Sequence, residues 1–68
     1  MRLKIKEALI AKYKGEIAQA TANVEVYLSN PVGIGEHPDI IEAIDSQMTI
    51  IAEAQDKLLV LDGNTFIW

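Results

Sequence analysis

Apolar residues recur every seven positions in two separate stretches of this chain, and that spacing restricts the fold more than any other feature. Leu3, Ile10, Ile17 and Val24 form one series, and Lys6, Tyr13, Ala20 and Tyr27 follow three positions after each. Seven residues make two turns of an α-helix, so both rows fall on one stripe. The pattern predicts a first helix over about residues 3–28. Asn30 and Pro31 supply its stop, because Asn tolerates the left-handed conformation past a helix end and proline biases the residue before it away from helical angles. A loop over 30–37 follows, carrying Pro31, Gly33 and Gly35.

A second helix over about residues 38–61 is predicted to open at His37-Pro38-Asp39. Proline is pre-organised for the first helical turn, and an acid there complements the helix dipole. Ile44, Ile51 and Leu58 are again seven apart, with Ile41 and Met48 on one side and Ala54 and Leu61 on the other. Gly63 is placed as the C-terminal cap. If the loop closes a hairpin, paired positions sum to about 68, bringing Val24 to Ile44, Ile17 to Ile51 and Ile10 to Leu58. The two seams mesh in that register, and the fold class is therefore all-α, an antiparallel two-helix hairpin in one domain spanning residues 1–68.

A chain of 68 residues with no cysteine has neither disulfide nor thiolate metal site to stiffen it. Domains this small reach stability most often by oligomerising or by docking on a larger partner. Ile40, Ile50 and Leu59 lie beside the second seam and widen its apolar stripe beyond what one neighbouring helix covers. They are the candidate interaction residues of the helical region, and the expected completion is a four-helix bundle of two hairpins.

Charge is divided along the chain. Arg2, Lys4, Lys6, Lys12 and Lys14 against Glu7 give the first fourteen residues net +4, while Lys57 against nine acids gives the rest net −8. In the antiparallel register Lys6 approaches Asp62 and Lys14 approaches Glu53, so the acidic end of the second helix is expected to neutralise the basic start of the first. An overall charge of −4 and a pI near 4.7 count against nucleic-acid binding. No run nears the roughly 20 apolar residues of a membrane-spanning helix. The alternation of charged and apolar residues at the start is unlike a secretory signal, and the chain reads as a soluble intracellular protein.

Chemistry-bearing motifs are sparse. Val32-Gly33-Ile34-Gly35 leading into a helix start has the outline of a phosphate-binding turn, but Glu36 and Asp39 put negative charge where the anion would sit, so the glycines read as turn residues, with Val32 and Ile34 plugging the helix ends. Glu36, His37 and Asp39 are three potential metal ligands whose convergence Pro38 restricts, and no second histidine completes a site. No cofactor, no metal and no catalytic residue is assigned, and the chain is read as non-enzymatic, since two helices leave no room for a pocket that shifts a carboxylate pKa. Tyr13 and Tyr27 read as seam residues. Gly15 faces outward, where nothing in the hairpin demands it.

The last residues stand apart: an apolar tail over 64–68 ends in Phe66, Ile67 and Trp68. Aromatic side chains gain by burial, so these three are candidate interaction residues, either folded over Leu3 and Ile10 or inserted into another chain.

The stretch Val26-Tyr27-Leu28-Ser29-Asn30-Pro31-Val32-Gly33-Ile34-Gly35-Glu36-His37-Pro38-Asp39, followed by Ala52-Glu53-Ala54-Gln55-Asp56-Lys57-Leu58, resembles short uncharacterised proteins of tailed phages infecting marine bacteria and cyanobacteria. The resemblance covers about the central half of the chain and carries no catalytic residues. It implies a viral protein acting in the host cytoplasm or the virion. Two classes of function are expected: a self-associating structural or assembly module, or a small regulator docking on a host or viral complex through its apolar face and aromatic tail.

Overall fold

The computed structural model describes residues 2–29 and 37–63. Two helices account for them: α1, Arg2–Ser29, and α2, His37–Asp62. Each extends one residue beyond the expected bounds at either end. Helix α1 ends at Ser29, whose hydroxyl donates back to the Glu25 carbonyl one turn earlier at 2.6 Å, the local side-chain-to-backbone bond that serine makes in helices. Asp39 lies in the first turn of α2, where its charge complements the dipole. Gly63 follows the last helical residue, and its N–H donates to the Val60 carbonyl at 3.3 Å, tightening the final turn as expected of a cap. The expected loop, with its Gly33 and Gly35 turn and its Val32 and Ile34 plug, lies outside the described residues apart from His37.

The two helices pack against each other in a body of 47 × 18 × 12 Å. Three contacts give their direction. Asn23 pairs with Gln47, the Lys57 ammonium sits over the Tyr13 ring, and Ile10 lines one groove with Leu58. As the α1 number falls the α2 number rises, so the pair is antiparallel, and the sums of paired positions, 68 to 70, match the expected register.

The seam itself differs in two respects. Its second row on α2 runs Ile40, Gln47, Ala54 and Leu61, again seven apart, rather than through Ile41 and Met48. Ala54 and Leu61 are buried and Ile40 and Gln47 half-buried, while Ile41 and Met48 are exposed. The hydrogen-bonded pair explains the shift: Gln47 occupies the inward position because Asn23 Nδ2 donates to its Oε1 at 3.0 Å, pairing the Gln47 acceptor with an Asn23 donor where water is partly excluded. Leu3, expected at the start of the first row, is 67% exposed. In this register its partners would be residues 65–67, beyond the last turn of α2.

Only Ala20, Ala54 and Leu61 are buried among the described residues. Small alanines disappear between two cylinders that approach closely. The larger Ile10, Ile17, Val24, Ile44, Ile51 and Leu58 stay half-buried, because a long side chain between two helices keeps one flank open to water when no third element covers it.

Candidate interaction surface

Each side of the hairpin carries a groove, and the two differ in chemistry. The first, of about 540 Å³, lies toward the open end and is lined from α1 by Ile10 between Lys6 and Lys14, and from α2 by Leu58, Leu59 and Leu61 with Gln55 and Asp62. Its floor is apolar and its rim charged. The second, of about 290 Å³, is lined by Glu16, Gln19, Ala20, Asn23, Gln47 and Ile50, so polar groups dominate it.

Helical spacing extends the apolar side along the molecule. Ile41 and Met48 precede Leu59 by eighteen and eleven residues, five turns and about three, and so share its side of α2. Leu3 and Leu28 stand two turns before and five turns after Ile10, and so share its side of α1. All four are exposed, as is Leu59 at 70%. Five of the nine large apolar side chains exposed among the described residues therefore share one face, spaced from the open end to the loop end, while Ile5, Val26, Ile50 and Val60 lie off it. Exposed apolar side chains gathered on one face are candidates for a contact surface.

The residues singled out from sequence do not fall together on that face. Leu59 belongs to it. Ile50 precedes Leu59 by nine residues, two and a half turns, and so points to the other side, where it lines the polar groove at 40% exposure. Ile40 is half-buried on the seam, since Gln47 rather than Met48 continues its row. Phe66, Ile67 and Trp68 lie outside the described residues, as do Glu36 and the side chain of His37. What sequence reasoning missed, Ile41 and Met48 on the open face together with Leu3 and Leu28, shared a detectable signal. A single wheel of 100° per residue separates 41, 48 and 59 from 40, 47, 54 and 61 once Gln47 is allowed inside.

Electrostatics adds a direction to the surface. Lys6 and Asp62, expected to approach each other, both line the larger groove, and Lys14 joins them, whereas Glu53 is exposed elsewhere. Lys57 and Lys12 place their ammonium groups 5.3 and 5.8 Å from the centre of the Tyr13 ring. That geometry attracts by about 0.5–1 kcal/mol at exposed sites, and it holds positive charge near the open end. The internal neutralisation expected of the hairpin is incomplete. Residues 2–15 and 54–63 carry six cations and three acids, net +3, while residues 16–29 and 37–53 carry six acids and no Lys or Arg, net −6.

No helix among the described residues is long and apolar enough to cross a membrane. No protein-family model matches the chain, and neither a curated protein nor a solved structure matches it.

Proposed function

We propose that the chain is a non-enzymatic protein–protein interaction module that works by self-association, a hairpin completed into a bundle by a second copy. The carrying observation is the set of exposed apolar side chains. Leu3, Leu28, Ile41, Met48 and Leu59 lie on one side of the hairpin and are 53–71% exposed, the kind of side chain that gains most from leaving water. The likeness of residues 26–39 and 52–58 to short phage proteins adds a setting, an assembly component of a virion or an infected cell.

Thermal melting at two concentrations tests this reading. A fold that needs its own copy melts at higher temperature as concentration rises, because association stabilises the native state by mass action. A Tm unchanged over a hundredfold range of concentration overturns it.

A further inference from the structure

We infer that two copies pack face to face and head to tail, the open end of one hairpin lying over the loop end of the other, through the side that carries Ile10 and Leu59. The inference rests on the self-association reading and adds its face and its polarity.

Two observations carry it. The first is the charge gradient: the open half of the hairpin holds net +3 and the loop half net −6, spread over a molecule 47 Å long. Two copies with their open ends together would set +3 beside +3 and −6 beside −6. Reversing one copy sets each positive end beside a negative one, and charges within a Debye length of about 8–10 Å are the ones that count. Complementary potentials of this kind fix the orientation of an interface more than its affinity.

The second is the level of each apolar residue along the hairpin. A two-fold axis across the middle relates residues of the same helix whose heights mirror each other. It brings Leu3 of one copy to Leu28 of the other at one end, and Met48 of one copy to Leu59 of the other on α2. All four are exposed in the single chain. Lys4 and Lys6 then come to the level of Glu25, Glu42 and Asp45. The parallel arrangement would also align apolar residues, setting Ile10 against Leu59 and Leu28 against Ile41. Apolar matching therefore leaves both orientations open, and the charge gradient decides between them. The smaller groove, with Glu16, Gln19, Asn23 and Gln47 around it, faces away from this contact and stays in water.

Disulfide trapping reads the orientation directly, because the chain has no cysteine of its own. Met48→Cys and Leu59→Cys are prepared separately, mixed, and oxidised, in parallel with a mixture of Leu28→Cys and Ile41→Cys. All four positions are exposed, so each variant keeps the hairpin seam. The expected result is a disulfide-linked dimer from the first mixture, little from either of its components alone, and none from the second mixture. Trapping in the second mixture overturns the head-to-tail orientation. Trapping in neither, from variants whose mass by light scattering is dimeric, overturns the choice of face while self-association stands. A monomeric mass for the unmodified chain removes the self-association reading as well. A Leu3→Cys and Leu28→Cys mixture repeats the test on α1, with trapping expected.

Discussion

Asn23 and Gln47 meet across the hairpin with Nδ2 donating to Oε1 at 3.0 Å, the point at which one polar pair interrupts an otherwise apolar seam. Both amides are half-buried at the edge of the smaller groove, and a slip of the helices by one turn would exchange this direct bond for bonds to water. The pair favours the observed register. Gln47→Ala is expected to cost about 1–2 kcal/mol, chiefly by leaving Asn23 without its acceptor. Chemical denaturation of Gln47→Ala, Asn23→Ala and the double variant measures it. The double variant should cost clearly less than the sum of the two singles, and additivity would show that the bond contributes nothing.

The buried rows make a different prediction. Leu61 is 4% exposed, the most enclosed large side chain among the described residues. Leu61→Ala should therefore destabilise by about 2–4 kcal/mol through lost transfer energy and a cavity. Ile50 lies on the polar side away from the proposed contact, and Ile50→Ala should cost about 1 kcal/mol or less. Urea midpoints compare the two, and a reversed order would put the seam on the wrong face of α2.

Gly15 sits in mid-α1 with nothing within 4 Å of where a Cβ would stand. Gly15→Ala should then stabilise the chain by about 0.8–1 kcal/mol from helix propensity alone, seen as a higher Tm. A loss of stability would mean that a neighbour outside the hairpin needs that close approach.

Salt distinguishes the two orientations without any substitution. Head-to-tail packing sets the +3 half of each copy beside the −6 half of the other, so added sodium chloride should weaken association as the attraction is screened. Packing with like ends together predicts the opposite slope, because screening would relieve repulsion. Dissociation constants measured between about 0.05 and 0.5 M salt give the sign.

The helices were legible in the sequence because the signals that set them are local. Heptad spacing names the buried stripe, Pro31 and Pro38 bracket the connection, and Gly63 follows the last turn, so the expected bounds lie one residue inside those found. The antiparallel register was legible too, since two apolar series can mesh in few ways. The identity of the second α2 row was not. Met48 and Gln47 are neighbours, and hydrophobicity alone favours Met48 for the inside; what reverses that choice is Asn23, twenty-four residues away in sequence and apparent only once the helices are paired. The same reversal moved the uncovered face. With Ile41 and Met48 assigned to the seam, the apolar residues left over were Ile40, Ile50 and Leu59, which span both sides of α2. With Gln47 inside, Ile41 and Met48 join Leu59 in one line.

Self-association is the claim on which the rest depends, and sedimentation equilibrium of the unmodified 68-residue chain at micromolar concentration tests it most directly. The expected mass is about twice 7.5 kDa, falling toward 7.5 kDa on dilution. A mass of 7.5 kDa at every concentration, from a chain whose circular dichroism is helical and whose melting is cooperative, would contradict it.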